Sequence, residues 1–329
     1  MTIPTRSAGC LILAALGLLA LLAPCLAGDR PLLVVYAGGG IGSPASADLL
    51  RLVPATGPSV AGPAQPTTAV TWTLLPPIRF DPLSVDLDAR LAPPGKDHWL
   101  GTDELGRDLL SRLIHSARPS LLVALIATFV SVGLGIPAGA AAGYRGGGVD
   151  LALSRLIEAS LSFPSLILLL TVAAITLRAT GPSRDAEALA SLAVVGGAIG
   201  LARWGVIARY MRAEVMRLTR SDLAAAPLAC GASPARVLAL HLVPAGLAPV
   251  IVSAAFGAGT AIVAEASLSF LGMGVQPPFP TWGQTMASAS LHGARYWWLL
   301  VFPGMMVALA VGSFNSIGER LRRRGSGPG

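Results

Sequence analysis

Long stretches without charge alternate with short charged connections along most of this chain. Seven stretches contain no Asp, Glu, Lys or Arg, and most are rich in Leu, Ala, Val and Ile: 7–28, 119–144, 159–177, 188–202, 237–264, 266–294 and 296–318. A helix that crosses the hydrocarbon core of a bilayer takes about 20 apolar residues. The pattern predicts an all-α membrane protein with six transmembrane helices, at about 11–27, 119–141, 154–177, 188–209, 246–268 and 296–317.

The composition argues against other protein classes. Charged residues make up 12% of the chain, about half of their usual share in a soluble domain. Three cysteines are too few for a disulfide framework, and the four histidines share no ligand-like spacing, so we expect no bound metal. The net charge of +7 would suit nucleic acid, but the basic residues mostly flank apolar spans, and we expect no nucleic-acid partner.

The chain divides into four predicted segments. Residues 1–28 hold a short stub and the first span, which we predict to be retained, although a cleavable signal peptide has the same features. Residues 29–118 form a long extracytoplasmic segment, because its Pro, Gly and Thr residues would leave backbone groups unsatisfied in lipid. Residues 119–319 form a five-helix core, and residues 320–329 form a basic tail.

Arginine residues are distributed unequally between the two predicted sides of the membrane. With the N-terminus inside, the inner segments hold thirteen arginines, Arg203 among them, and the short outer connections hold three. Because basic residues concentrate in cytoplasmic connections, we predict that both termini are cytoplasmic.

The predicted inner loop at 210–245 is the largest inner segment, and it is amphipathic. Leucines such as Leu223 and Leu240 alternate there with charged residues, and Gly231 and Pro234 interrupt the pattern. We predict two short helices that lie across the membrane face and are broken at Gly231.

A motif with defined spacing lies in this loop. Ala225-Ala226-Pro227 is followed by three residues, then Gly231, then nine residues, then His241-Leu242-Val243-Pro244. This resembles the EAA loop of the integral-membrane subunits of ABC importers. Ala225 stands in place of the family's Glu and Pro227 in place of an Ala. Pro227 costs a helical hydrogen bond unless it lies in a first turn, so the first short helix is expected to be bent or to begin later.

Two further stretches carry the resemblance. Residues 98–108, with Ser111-Arg112-Leu113 and Ala117-Arg118, are similar to the segment before the second span in the dipeptide, oligopeptide and nickel branch of that family. Residues 264–278, with Trp282-Gly283, are similar to the end of its fifth span and the outer loop that follows. The similarity covers about 72–324, and residues 28–71 match nothing in the family.

The resemblance implies the architecture of a type I ABC importer permease in a bacterial inner membrane. It implies a coupling loop at 212–244 that docks on an ATPase, with eight residues as candidates for that contact: Asp222, Ala225, Ala226, Gly231, Ala232, Arg236, His241 and Pro244. It also implies a second homologous permease chain, two ATPase subunits that bind ATP, and an extracytoplasmic solute-binding protein that delivers a peptide or a similar small solute.

The chain has one lysine, Lys96, and it lies in the predicted outer segment. A phosphate-binding loop of the Gly-x-x-x-x-Gly-Lys-Ser/Thr type is therefore absent, and the chain is not itself the ATPase. We expect no cofactor in this chain and no enzymatic activity of its own.

Two acidic residues near the predicted spans are candidates for the translocation path. Glu265 lies in an otherwise apolar stretch, where an ionisable group is costly. Its alternative role is that of a structural carboxylate bonded to Ser267, Ser269 or a neighbouring helix end. Glu158 lies near the inner end of the third span, where interfacial solvation favours a structural role.

The sequence leaves two rival functions open. One is an ion-coupled carrier in which Glu158 and Glu265 bind the ion, but the chain has no evident inverted repeat. The other is a membrane-embedded hydrolase, but its Gly-x-Ser-x-Gly and His-Glu-x-x-His motifs are absent.

Overall fold

A computed structural model describes residues 5–29, 31–36, 41–42, 70–162, 167, 169–171 and 184–325. Within these residues, five helices are long and apolar enough to cross a membrane. They correspond to five of the six predicted spans. The third predicted span, 154–177, lies partly outside the described residues, and only its first part is seen, as the end of a helix that begins at Gly147.

A long segment separates the first two helices, and the later helices follow one another with shorter connections. In chain order they are α1 Thr5–Leu26, α2 Leu109–Arg145, α3 Gly147–Ser162, α4 Arg184–Leu218, α5 Asp222–Ala229, α6 Pro234–Val237, α7 Val243–Ala245, α8 Leu247–Phe270, α9 Trp282–His292 and α10 Trp298–Gly325. A π-helical turn, Leu238–Leu242, joins α6 to α7.

Helix α2 begins ten residues before the predicted span boundary at Pro119. Its start is capped by Asp108, whose Oδ2 accepts a hydrogen bond of 2.8 Å from the Ser111 backbone N–H. Such a cap satisfies one of the free N–H groups at a helix N-terminus. Burial of Leu109 and Leu113 against the core extends the helix through a stretch that hydropathy alone assigned to the outer segment.

Glycines bring α2 and α4 into close contact. A Cβ atom placed on Gly135 would lie 2.6 Å from the Cβ atom of Ile207, and one on Gly139 would lie 2.2 Å from the carbonyl oxygen of Ala208. From the other side, Gly200 of α4 meets Val130 in the same way. Small residues at these positions therefore let the two helices approach closely.

The first helix belongs to the bundle. α1 packs on α2 and α10, and a Cβ atom on Gly9 would lie 2.4 Å from the Cβ atom of Ser316 in α10. Leu16 and Ala20 of α1 are buried in the same core cluster as Leu299 of α10.

The segment between α1 and α2 contains a small sheet that the hydropathy pattern does not predict. Strands β1 Leu33–Tyr36, β2 Ile41–Gly42 and β3 Val70–Leu74 are antiparallel, in the order β2-β1-β3. Their cross-strand hydrogen bonds satisfy backbone groups of the paired strands. The chain between β2 and β3, residues 43–69, lies outside the described residues.

Candidate functional site

The predicted break at Gly231 is present, between two short helices. Gly231 has φ of +84°, a left-handed conformation that L-residues with side chains adopt with difficulty. The backbone N–H of Ala232 donates to the Pro227 carbonyl oxygen at 3.0 Å, and the N–H of Gly231 donates to that of Leu228 at 3.0 Å. These two hydrogen bonds form a Schellman motif, which ends α5 and turns the chain towards α6.

Helix α5 differs from its prediction at one end. It begins at Asp222 and includes Pro227 as its sixth residue, so the expectation that the helix begins later was wrong. Pro227 lacks an N–H, but α5 is only eight residues long, and the C-terminal hydrogen bonds of the Schellman motif hold the turn.

Three buried side chains attach these short helices to the rest of the protein. Ala224 of α5 is 4% exposed, and Val237 and Leu242 are fully buried. They pack in one cluster with residues of the last two turns of α4, including Met211 and Val215. The short helices therefore rest on the end of α4.

The opposite side of these helices is exposed and apolar. We define the loop face as the three leucines Leu223, Leu228 and Leu240, which are 42%, 41% and 63% exposed. Ala225 and Ala226 lie in the exposed part of α5 as well. Large exposed apolar side chains grouped with small ones are typical of an interaction surface.

The predicted contact residues are distributed around this loop face. Those that are exposed are Asp222, Ala225, Ala226, Gly231, Arg236 and Pro244, whereas Ala232 and His241 are half-buried. The backbone N–H of Arg236 donates to the Ser233 hydroxyl, which caps α6. All eight residues lie within one surface region of short helices and turns.

An ion pair joins this region to the preceding helices. The Arg212 guanidinium of α4 donates to both carboxylate oxygens of Asp150 in the first turn of α3. This hydrogen bonding lowers the pKa of Asp150 below its usual value. α3 is thereby linked to the end of α4 on which the short helices rest.

Glu265 of α8 is buried and hydrogen-bonded. Its Oε1 accepts a hydrogen bond of 2.7 Å from the Ser269 hydroxyl, and the Ser120 hydroxyl of α2 lies 3.5 Å from Oε2. Ser267, by contrast, donates to the backbone carbonyl of Val263. These contacts match the structural alternative for Glu265, in which the carboxylate joins α8 to α2.

Glu158 of α3 is exposed and is not part of that group. Its Oε2 accepts a hydrogen bond of 2.9 Å from Nη1 of Arg155, one turn earlier in the same helix. The structure thus separates the two acidic candidates. Within the described part of the chain, no group of three His, Cys, Asp or Glu side chains is arranged to hold a metal ion.

Arg203 is one of the thirteen arginines that the arginine count assigns to the inner side. It lies in the middle of α4, half-buried, and its guanidinium is next to Gly257 of α8. The predicted fourth span, 188–209, also contains this arginine, six residues before its inner end.

Comparison with known proteins places this site in a family. Residues 135–325 match the family described as "Binding-protein-dependent transport system inner membrane component". The dipeptide transport system permease protein DppC of Alkalihalophilus pseudofirmus is 37% identical over 233 residues, which cover 71% of this chain and 73% of that protein.

Other relatives match a similar share of this chain. The di/tripeptide transport system permease protein DppC of Pseudomonas aeruginosa is 38% identical, covering 74% of this chain and 78% of that protein. The oligopeptide transport system permease protein OppC of Bacillus subtilis is 32% identical, covering 74% of this chain and 76% of that protein.

Among solved structures, one described as "Crystal structure of an amino acid ABC transporter with histidines" has a similar fold. The TM-score is 0.50 with 14% sequence identity, and the match covers 65% of this chain and 94% of that chain. At this identity the likeness concerns the fold alone.

Proposed function

Because the chain belongs to the family of binding-protein-dependent transport system inner membrane components, it is a permease subunit of an ABC importer, and we propose that its loop face docks on the ATPase subunits. It is a multi-pass inner-membrane protein of type I importer permease fold, a transport component whose ATPase activity lies in partner subunits. An ion-coupled carrier and a membrane hydrolase do not fit this family.

The observation that carries the proposal is the contrast between the two sides of the short helices. One side is buried on α4 through Val237 and Leu242, and the other presents the exposed leucines of the loop face. A docking element must have this construction, because a contact transmits motion only if the element that receives it is rigidly attached to the spans. Asp150 and Arg212 extend the attachment to α3.

The orientation follows from the same assignment. If the loop face meets cytoplasmic ATPase subunits, both termini and the basic end of α10 are cytoplasmic. The arginine distribution supports this, since Arg322, Arg323 and Arg324 lie in the last turn of α10. ATP is then bound by the partner subunits, and the segment between α1 and α2 faces the solute-binding protein.

We further propose that the complete importer contains a second homologous permease chain and two ATPase subunits, and that it transports peptides. The support for peptides comes from the relatives, whose names are those of dipeptide, di/tripeptide and oligopeptide transport permeases. Closure of the ATPase subunits on ATP would displace the short helices and with them α4, so that the spans alternate between two states.

Substitution at Gly231 tests the proposal. A Cβ atom at Gly231 would meet nothing within 4 Å, so a side chain there acts through the backbone conformation and not through a clash. Asn tolerates φ near +84° and Val does not. We expect Gly231→Asn to retain ATP hydrolysis stimulated by the loaded solute-binding protein. In Gly231→Val, the rate of this stimulated hydrolysis should fall at least tenfold.

The loop face provides a second, independent test. Leu223→Ser with Leu240→Ser is expected to reduce co-purification of the ATPase subunits, with Leu87→Ser as a control. Leu87 is 62% exposed but lies in the outer segment. Equal ATPase recovery and unchanged coupled hydrolysis in the Leu223, Leu240 and Gly231→Val variants would show that docking occurs elsewhere.

A further inference from the structure

Arg203 is a charged residue in the interior of a membrane-spanning helix. It lies in α4, and its side chain crosses to α8. A Cβ atom placed on Gly257 would lie 3.4 Å from Nη2 and 3.5 Å from Nε of Arg203. Gly257 is buried, while Arg203 itself is half-buried. The guanidinium group therefore occupies the space that a side chain at position 257 would fill, and part of it stays accessible.

The depth of this group can be read along α8. At the start of α8, Gly246 lies against α4 near Glu214, because a Cβ atom there would be 3.2 Å from the Glu214 Cβ atom. Gly257 lies eleven residues further on, which corresponds to about 16 Å at 1.5 Å per residue. The fifth predicted span begins at 246, and the hydrocarbon core is about 30 Å thick, so on these bounds the guanidinium lies about 16 Å inside the span.

A long basic side chain can often reach the membrane surface from within a span. Arg203 does not do so here. Its guanidinium meets Gly257 and not the level of Gly246, where Arg212 and Glu214 lie. A lipid phosphate at the membrane surface therefore does not account for the charge.

No carboxylate of the described residues neutralises Arg203. Within that part of the chain it forms no hydrogen bond and no ion pair. The acidic residues of the helices nearby are engaged elsewhere: Asp150 with Arg212, Glu158 with Arg155, Glu214 with Arg217, Glu265 with Ser269 and Glu319 with Arg322.

The segment that the structure describes only in part does not supply a counter-charge either. Residues 163–183 contain no Asp and no Glu. Asp185 and Glu187 precede the fourth predicted span and lie eighteen and sixteen residues before Arg203 in α4, about 27 Å and 24 Å away along the helix. Among the described residues, no carboxylate is therefore placed to pair with Arg203.

We propose that Arg203 binds a carboxylate of the transported solute during its passage. An unpaired charge at this depth is costly and marks a functional group. A guanidinium accepts a carboxylate in a planar, two-bond arrangement, and every unmodified peptide ends in a carboxylate. Because Gly257 has no side chain, the guanidinium is not crowded. This inference rests on the proposed function and defines a recognition element within the path.

The experiment uses the assembled importer, with its partner permease and ATPase subunits but without the solute-binding protein, so that the selectivity of that protein does not enter. The probe is alanyl-photoleucine, a photoreactive dipeptide, supplied with a free or an amidated C-terminus. After illumination, mass spectrometry measures labelling of 197–210 in α4 and 250–265 in α8.

We expect at least fivefold more label from the free carboxylate than from the amide in the native complex. Arg203→Gln should remove this difference and Arg203→Lys should retain part of it. Arg209→Gln is the matched control, an exposed arginine of the same helix, and should leave the difference intact. Equal labelling by the two probes, or no label near Arg203 in the native complex, would overturn the proposal.

Two other outcomes have distinct meanings. If Arg203→Gln prevents co-purification of the second permease chain, its counter-charge is an acid of that chain, and the solute role is wrong. If the native complex responds to its loaded binding protein but shows no carboxylate preference, the site alone is wrong. Failure of the native chain to assemble with ATPase subunits would instead overturn the proposed function.

Discussion

Arg118 of α2 donates hydrogen bonds to the carbonyl oxygens of Ala20 and Leu21 in α1. Pro24, four residues after Ala20, has no N–H, so the Ala20 carbonyl lacks its usual helical donor. The arginine supplies the missing donor from a neighbouring helix. This arrangement explains how α1 carries a proline within the bundle, since freed backbone groups in a span must find other partners.

The Arg118 contact leads to a first prediction. Arg118→Leu should lower the stability of the chain by about 1–3 kcal/mol, because a buried carbonyl is left unsatisfied. In a Pro24→Ala background, the helical N–H returns and the same substitution should have a smaller effect. Thermal unfolding in detergent of the four variants measures the difference. Equal losses in both backgrounds would show that Arg118 acts independently of Pro24.

The glycine contacts between α2 and α4 lead to a second prediction. Gly139→Ala places a Cβ atom 2.2 Å from the Ala208 carbonyl oxygen, so the helices must separate. Overpacking of this kind lowers the free energy of unfolding by about 1–3 kcal/mol. Gly197→Ala is the matched control, since its Cβ atom meets nothing within 4 Å. A lower melting temperature for Gly139→Ala alone is expected, and similar values for both would be inconsistent with close packing at Gly139.

The Asp150–Arg212 ion pair predicts a dependence on pH. Hydrogen bonding from Arg212 lowers the pKa of Asp150 in the folded protein. The pair therefore contributes stability above the unfolded pKa, about 3.9, and this contribution is lost as the pH falls through the lower, folded value. Because both side chains are partly exposed, we expect the ion pair to contribute less than about 1 kcal/mol to the free energy of unfolding.

Melting of the native chain and of Asp150→Asn at several pH values tests this. The difference in melting temperature between the two proteins should be constant between about pH 8 and pH 5 and should shrink below about pH 4. Arg212→Gln completes a double-mutant cycle, which separates the pair from the favourable position of Asp150 at the N-terminus of α3. A difference that grows as the pH falls would contradict the assignment.

The turn before α2 leads to a fourth prediction. Gly106 has φ of +72°, and a Cβ atom there would lie 1.6 Å from the Asp86 carbonyl oxygen. Gly293 has nearly the same φ, +75°, but open space around it. Gly293→Ala should therefore lower the free energy of unfolding by about 1 kcal/mol through the backbone conformation alone. Gly106→Ala should lower it by more, because its Cβ atom also meets the Asp86 carbonyl oxygen.

Proteolysis of the outer segment measures this effect, because the loop that includes Gly106 packs on the start of α2. We expect faster cleavage between α1 and α2 in Gly106→Ala than in the native chain or in Gly293→Ala. If the two alanine variants are cleaved at the same rate, backbone conformation dominates and the contact with Asp86 has little weight.

The sequence by itself determined the features that depend on neighbouring residues. Runs of apolar residues identified the five spans that lie within the described residues, because a bilayer imposes a minimum length on each helix. The spacing around Gly231 identified the break between the short helices, since a left-handed residue ends a helix locally. The same spacing carried the family resemblance.

Only the tertiary structure decided which residues meet across the chain. Hydropathy did not show that Asp108 starts α2, that Glu265 is bonded to Ser269 and Ser120, or that β1 pairs with β3. It also did not show that Arg203 of α4 meets Gly257 of α8, because these two residues are far apart in the chain. Burial and partners are set by helices that are distant in sequence, and the packing of α4 on α8 brings this arginine to Gly257.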